Sequence, residues 1–261
     1  MIHDATQPLL RVQNLHCAYG ARAVVRDISL DLWPGEVLAI VGESGSGKTT
    51  LLNALAARHT PTSGTVAFAM RDTGLQDIYA LSEAQARLLA RTDWGFVHQH
   101  APDGLRMNVS AGANVAERLM ALGQRHYGNL RAQASEWLAR VEIDPSRIDD
   151  RPDTFSGGMR QRLQIARNLI TQPRLVFMDE PTSGLDVSVQ ARLLDMLRML
   201  TRQMNLAAVI VTHDLAVARL LAQRMLVMQG GVAVETGLTD QVLDDPQHAY
   251  TQLLVSSVLP P

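Results

Sequence analysis

The segment Gly42-Glu-Ser-Gly-Ser-Gly-Lys-Thr49 decides the fold class of the chain. It directly follows the continuous apolar run Val37–Val41 and opens a stretch, 48–57, with helical character. A continuous apolar run is typical of a strand that is covered on both faces of a parallel sheet. The pattern G-x-x-x-x-G-K-[ST] between a strand and a helix is a phosphate-binding loop. The sequence therefore predicts an α/β fold that binds a nucleoside triphosphate.

Each residue type in this loop has a physical role. The glycines allow backbone N–H groups to wrap around phosphates, and the following helix N-terminus favours negative charge. We expect Lys48 to reach the β- and γ-phosphates and the Thr49 hydroxyl to ligate Mg²⁺. The predicted nucleotide-binding residues of the loop are Gly42, Ser44, Gly45, Ser46, Gly47, Lys48, Thr49 and Thr50.

Two further strand ends carry polar residues. Asp179 and Glu180 follow the apolar run 175–178, and His213 follows the predicted strand 207–212. Because a parallel α/β core binds ligands at the carboxyl ends of its strands, we expect Asp179 to hold Mg²⁺ through water and Glu180 to polarise the attacking water. His213 is expected to contact the γ-phosphate. A solvated Asp-Glu turn and a structural histidine are the alternatives.

The pattern of elements predicts one domain, residues 1–261, with two parts. Alternating strands around residues 10–12, 28–32 and 66–68, and strand–helix alternation after residue 169, predict a nucleotide-binding core from 9–80 and 169–261. Residues 81–168 are mostly helical in pattern and predict an inserted helical subdomain.

Composition narrows the functional classes. The chain has 261 residues, 46% of them hydrophobic, with a formal net charge of −2, so it has no electrostatic footprint for nucleic acid. No apolar run is long enough to span a bilayer, and Met1–Pro8 lacks a signal pattern. The single cysteine, Cys17, suits a reducing compartment. We expect a cytoplasmic protein without direct membrane insertion.

As a set, the motifs resemble those of the ABC-type ATPases over about residues 9–258. In the family's order the chain contains the phosphate loop, Gln99, Ser156-Gly157-Gly158, Asp179-Glu180, Ser183-Gly-Leu-Asp186 and His213. The resemblance implies a P-loop NTPase of ABC type: a RecA-like parallel sheet core, an antiparallel β subdomain and an inserted helical subdomain. It also implies an ATPase that uses ATP and Mg²⁺.

The resemblance implies roles that composition cannot show. Tyr19 matches the aromatic residue that stacks on adenine, although taken alone it could equally be a core residue. Gln99 would couple the γ-phosphate and Mg²⁺ to the helical subdomain, which makes the implied metal set Thr49, Gln99 and Asp179. Asp186 would link two ATP sites.

The segment Ser156-Gly157-Gly158 implies a dimer. It opens a predicted helix, and a helix N-terminus is an anion site. In the family it contacts the γ-phosphate bound by a second copy, so we expect a head-to-tail homodimer with two sandwiched nucleotides. The segment reads Phe155-Ser-Gly-Gly-Met159 where the family usually has Leu-Ser-Gly-Gly-Gln. Whether Gln161 compensates for the lost glutamine stays open.

Two segments bear on the biological partner. The run His98–Arg106 closely resembles the ATPase component of the bacterial carbon–phosphorus lyase system for phosphonate breakdown, which implies core subunits of that system as partners. The tail 245–254 resembles ATPases of peptide and nickel importers, so an importer ATPase for peptides, nickel or phosphonates is the alternative. A nucleotide-dependent clamp that rarely hydrolyses ATP is a third reading, which Glu180 opposes. A metal site at His98 and His100 lacks a third ligand.

Overall fold

The computed structural model describes residues 7–258. Residues 1–6 and 259–261 lie outside the described part. Residues 1–6 make up most of the stretch 1–8, for which the sequence predicts no signal peptide. The chain divides into two compact units: one holds the residues up to Ala86 and from Asn205 onward, and the other holds Arg87–Met204. The predicted split into a core and a helical subdomain at 81–168 stays a prediction, since compactness alone does not say which elements bind nucleotide.

Ten strands are formed by residues 7–258. They are β1 Leu10–Tyr19, β2 Arg22–Leu32, β3 Val37–Val41, β4 Ser63–Met70, β5 Gly74–Asp77, β6 Trp94–Val97, β7 Leu175–Asp179, β8 Ala207–Val211, β9 Arg224–Gln229 and β10 Val232–Leu238.

Nine α-helices accompany them in the same part of the chain. They are α1 Lys48–Leu55, α2 Glu83–Thr92, α3 Ala111–Ala121, α4 Tyr127–Arg140, α5 Gly157–Leu169, α6 Val187–Gln203, α7 Leu215–Leu221, α8 Thr239–Asp244 and α9 Ala249–Val258. Short 3-10 turns occupy Ala101–Gly104, Pro145–Asp149 and Pro152–Thr154. Among the residues described, no helix combines the length and the apolar character needed to cross a bilayer.

An antiparallel sheet lies in the first unit, with strand order β2-β1-β4-β5. Leu10 of β1 pairs with Leu32 on one side and with Phe68 on the other. These three side chains are fully buried, as the alternating sequence pattern requires of one face of a half-buried sheet. The predicted antiparallel β subdomain is confirmed.

Parallel pairing forms the second part of the first unit. Strand β3 lies between β8 and β9 and runs parallel to both, with Ile40 opposite Val211 and Val41 opposite Val227. All five residues of β3 are buried, so its continuous apolar sequence reflects cover on both faces. Strand β10 joins β9 in the antiparallel direction. The predicted parallel core is confirmed here.

The second unit contains one parallel strand pair and several long helices. Strands β6 and β7 pair with Val97 opposite Met178. Side chains cap four helices by accepting backbone N–H groups of the first turn: Ser110 at α3, His126 at α4, Ser156 at α5 and Asp186 at α6. These caps explain where the helices begin and place Ser156 at the start of α5.

Candidate functional site

The phosphate loop lies in the first unit between β3 and α1. Gly42 and Gly47 have φ values of 145° and 100°. A Cβ on Gly42 would stand 2.2 Å from the Met228 carbonyl oxygen, and one on Gly47 would stand 2.7 Å from the Val24 carbonyl oxygen. Only glycine fits these positions, because the neighbouring backbone closes on the loop. The loop is thereby held in one shape by strands on both sides.

Lys48 is the first residue of α1 and is buried. Its Nζ donates to the carbonyl oxygens of Gly42 and Glu43, both at 2.8 Å. The nearby Ser46 hydroxyl is buried and has no hydrogen-bond partner within the protein. A cationic side chain held over a glycine cradle, an unsatisfied hydroxyl and a helix N-terminus fit the phosphates of a nucleotide.

Tyr250 also supports this loop, and sequence reasoning missed it. Its Oη accepts the Glu43 N–H at 2.8 Å. The segment before α9 is fixed by Glu235 of β10, whose carboxylate accepts the backbone N–H groups of Gln247 and His248 at 2.9 and 3.0 Å. The Glu43 backbone is therefore held through its N–H by Tyr250 and through its carbonyl by Lys48.

His213 lies at the same sheet edge as the loop. Ile40 is opposite Val211, and the Thr212 N–H donates to the Ile40 carbonyl at 3.1 Å, so β3 and β8 end side by side. His213 is exposed there. The following Asp214 caps α7 by accepting the Ala216 N–H at 2.8 Å. The strand register thus places Gly42 and His213 at the same edge of the sheet, as the sequence predicted.

Tyr19 ends β1 in the first unit. Its side chain is 57% exposed, so it is not a core residue. The His59 ring lies against it, with the ring centroids 4.7 Å apart and the planes tilted by 45°. One side of the Tyr19 ring is thereby supported.

Gln99 and the acidic pair lie together in the second unit. Val97 is opposite Met178 in the parallel pair, so Gln99 and Asp179-Glu180 both leave the sheet at its carboxyl edge. Gln99 Nε2 donates to the Ser183 hydroxyl at 3.2 Å, in the turn that follows Glu180. The Glu180 backbone has φ = 41°, a left-handed conformation that is costly for a residue other than glycine.

The signature segment begins α5. Ser156 and Gly157 are exposed, whereas Gly158 is buried, and a Cβ there would stand 2.4 Å from Val189 Cγ1. Met159 Sδ accepts from Arg147 Nη1 at 3.5 Å, and the Arg147 guanidinium lies 4.5 Å from the centroid of the buried Phe155 ring. Phe155 and Met159, the two residues that depart from the usual family pattern, thus both contact the Arg147 guanidinium.

Gln161 does not take the place of the missing glutamine. Its side chain is buried, and its Nε2 donates to the His98 carbonyl at 3.3 Å. The amide is therefore engaged inside the second unit.

Asp186 is the N-cap of α6. Its Oδ1 accepts the Val189 N–H at 3.0 Å and the Ser188 hydroxyl at 2.8 Å. These hydrogen bonds, the one from Val189 first, lower the pKa of Asp186 below its usual value.

The two histidines beside Gln99 do not form a metal site with the residues described. The His98 ring packs on Phe96 with centroids 4.8 Å apart, and His100 precedes the 3-10 turn at Ala101. Within residues 7–258 no group of three or more His, Cys, Asp or Glu side chains is arranged to hold a metal ion.

The predicted site residues fall into two groups, one in each unit. The first unit contains the phosphate loop, His213 and Tyr19, and the second contains Gln99, the acidic pair, Asp186 and the signature segment. A family model described as "ABC transporter" matches residues 25–183, more than half of the chain. The chain belongs to the ABC transporter family.

Relatives agree with this assignment of an ABC ATPase. The Putative phosphonates utilization ATP-binding protein PhnK of Escherichia coli is 66% identical, covering 97% of this chain and 98% of its own. The Peptidoglycan transport ATP-binding protein YejF of Agrobacterium fabrum is 39% identical, over 97% of this chain and 47% of its own.

A solved structure extends the agreement to the fold. The ATP-binding cassette MJ0796, in a dimeric post-hydrolysis state bound to ADP and Pi, has a TM-score of 0.78 and 28% identity over 88% of this chain and 98% of its own. The chain is an ABC ATPase by motif and by fold, with the mixed parallel and antiparallel sheets that the sequence predicted.

Proposed function

We propose that this ABC ATPase hydrolyses ATP with Mg²⁺ as a head-to-tail homodimer and serves phosphonate utilisation, acting in the cytoplasm on the core complex of the carbon–phosphorus lyase system. The observation that carries the proposal is the 66% identity to the E. coli phosphonates utilization protein, which extends over 97% of the chain. Identity at that level over nearly all of both chains supports a role shared with that protein.

The nucleotide chemistry follows from the side chains available. Lys48 neutralises the β- and γ-phosphates, and the oxygen donors Thr49, Gln99 and Asp179 suit Mg²⁺, which prefers hydroxyl, carbonyl, carboxylate and water oxygens. Glu180 orients and polarises the attacking water for in-line displacement at the γ-phosphate. His213 contacts that phosphate. In such a reaction most of the catalysis is positioning and electrostatic stabilisation.

The dimer is supported by the signature segment. Ser156 and Gly157 are exposed at the N-terminus of a 13-residue helix, where unpaired N–H groups and the helix dipole attract an anion. We propose that this anion is the γ-phosphate of ATP bound to a second copy. The solved cassette MJ0796, similar to this chain, is dimeric. In this dimer Asp186 links the two ATP sites, and Tyr19 stacks on the adenine of ATP.

A pull-down without detergent tests the partner. Tagged protein purified from cells grown on a phosphonate is expected to bring along carbon–phosphorus lyase core subunits. The Glu180→Gln variant is expected to bind ATP without turnover and to be recovered as a dimer, with more partner attached than the parent. Recovery of an integral membrane permease without phosphonate enzymes would contradict the proposed partner.

An importer ATPase is the second candidate. It is favoured by the 39% identity to a peptidoglycan transport protein over 97% of this chain. It predicts that the ATPase rate responds to a reconstituted permease and its binding protein. A rate that responds only to the phosphonate-degrading complex would rule it out.

A further inference from the structure

The open edge of strand β6 is covered by side chains of helix α5. Strand β6 pairs with β7 along one edge. On the other edge, the Phe96 N–H donates to Asn168 Oδ1 at 3.0 Å and the His98 N–H donates to Gln164 Oε1 at 2.5 Å. Gln164 Nε2 also donates to the His98 carbonyl at 3.2 Å. The Gln164 amide thus binds both peptide groups of His98, as a neighbouring strand would.

The spacing of the two elements explains the match. Alternate residues of a strand present their N–H groups to the same edge, about 6.6 Å apart. Residues four apart on a helix lie on one face, about 6 Å apart along its axis. Gln164 and Asn168 are four apart, and Phe96 and His98 are two apart. Asn168 Nδ2 also donates to the backbone carbonyl of Gln164 at 2.9 Å, which holds the Asn168 amide against its own helix.

The contact continues past Gln99. Arg167 Nη1 donates to the Gly104 carbonyl at 2.6 Å. A Cβ on Gly104 would stand 2.3 Å from Gln164 Oε1, so this glycine allows the chain to close on the buried amide. The polar side chains Gln161, Gln164 and Asn168 are at most 4% exposed. The segment that carries Gln99 is therefore held by α5 both before and after that residue.

The direction of the pairing brings Gln99 toward the signature end of the helix. As the chain runs from Phe96 in β6 to His98 just after it, its contacts on α5 move from Asn168 back to Gln164 and Gln161. Gln161 is five residues from Ser156, about 7.5 Å along the helix axis. A displacement of the Gln99 segment therefore acts on the first turns of the helix that begins at Ser156.

We propose that Gln164 and Asn168 are positioning residues that join the Gln99 segment to the signature helix, so that the γ-phosphate state read by Gln99 sets the placement of Ser156 against the ATP of the second copy. This inference rests on the proposed function, because it uses the assigned roles of Gln99 and Ser156. It adds two residues outside the nucleotide-binding motifs as the mechanical link between the two sites. Neither residue touches nucleotide in this scheme.

A double-mutant cycle on the full-length protein tests the link. Gln164→Met keeps the length of the side chain and removes both hydrogen bonds to His98. We expect kcat to fall about tenfold, the factor that the loss of one or two hydrogen bonds gives. The dissociation constant for ATP, measured on the monomer, should stay within about twofold of the parent's, because Lys48 and its loop are unchanged.

The decisive readout is non-additivity with Gln99→Ala. If Gln164 acts through Gln99, the double variant turns over ATP at the rate of Gln99→Ala alone. Asn168→Ala should behave in the same way, and it gives an independent result should Gln164→Met not fold. Leu200→Ala, a buried core position of α6, is the control for general destabilisation. Rates are compared below the melting temperature of every variant.

The outcomes separate this inference from the function on which it rests. Turnover losses that multiply in the Gln99→Ala background, as expected for Leu200→Ala, would overturn the positioning role while leaving the ATPase assignment intact. A parent protein with no turnover above that of Glu180→Gln would instead overturn the proposed function.

Discussion

Adjacent glycines of the signature segment should respond in opposite ways to the same substitution. A Cβ on Gly158 would stand 2.4 Å from Val189 Cγ1, well inside contact distance. A Cβ on Gly157 would meet only Leu185 Cδ2, at an ordinary 3.8 Å. Alanine at position 158 must therefore displace a packed side chain, whereas alanine at 157 fits the chain as it stands.

The magnitudes follow from these distances. Overpacking of this kind costs about 1–3 kcal/mol, and replacing a helical glycine regains about 0.5–1 kcal/mol. Gly158→Ala should therefore lose about 1–2 kcal/mol of stability. At this chain length 1 kcal/mol corresponds to about 2–4 °C, so its melting temperature should fall by several degrees. Gly157→Ala should melt no lower than the parent.

ATP turnover should follow a different order. Gly157 is exposed, and we propose that it faces the γ-phosphate held by the second copy, so a methyl group there keeps the phosphate at a distance. A misplacement of about 1 Å costs about a hundredfold in rate. Gly157→Ala should thus be the more stable variant and nearly inactive. The assays are thermal unfolding without nucleotide and phosphate release at saturating ATP.

Two results would refute the reasoning, each at a different step. If Gly157→Ala melts lower than Gly158→Ala, the packing of the first turn of α5 is not as described. If Gly157→Ala is stable and hydrolyses ATP at the parent's rate, Gly157 does not face a phosphate in the active dimer.

Three further predictions test single contacts. Tyr250→Phe removes the acceptor of the Glu43 N–H, worth about 0.5–1.5 kcal/mol, and should weaken ATP binding in a calorimetric titration by about two- to tenfold. Burial raises the pKa of Cys17 to about 11, so the folded protein at pH 8 should react with maleimide only as fast as it unfolds. Asn114→Leu strips the Arg106 N–H and carbonyl of their buried partner and should cost about 2–4 kcal/mol in urea unfolding. Unchanged ATP affinity, rapid labelling or unchanged stability, respectively, would contradict them.

The periodicity of apolar residues in the sequence predicted the elements that are buried throughout or along one face. Strand β3 at Val37–Val41 has the predicted bounds, and helix α6 at Val187–Gln203 lies in the region after residue 169 where strands and helices were predicted to alternate. The first is apolar throughout and the second has one apolar face, so one-dimensional pattern is sufficient. Helix α1 ends at Leu55, two residues earlier than predicted, and Ala57 follows with φ = 54°. Helix ends depend on such local backbone states, which composition does not specify.

Elements and contacts that depend on distant parts of the chain were not predicted. Strand β5, Gly74–Asp77, has no fully buried residue and is defined by its pairing with β4. The contact between Tyr250 and Glu43 joins residues 207 positions apart. Gln164 and Asn168 look in sequence like polar interruptions of an amphipathic helix. Their role depends on a strand edge that lies far from them in sequence.

The contacts of the side chains on helix α5 bear on how the signature segment can work with methionine at position 159. Gln161 and Gln164 are committed to His98, and Met159 contacts Arg147. The first turn thus has no side-chain amide left for a nucleotide. What remains exposed is Ser156 and the backbone of Gly157, which are the groups that a helix N-terminus offers to an anion. In the proposed dimer, recognition of a phosphate at this end has to rest on the backbone and the serine, so the helix must be placed by its other contacts, among them those with the Gln99 segment.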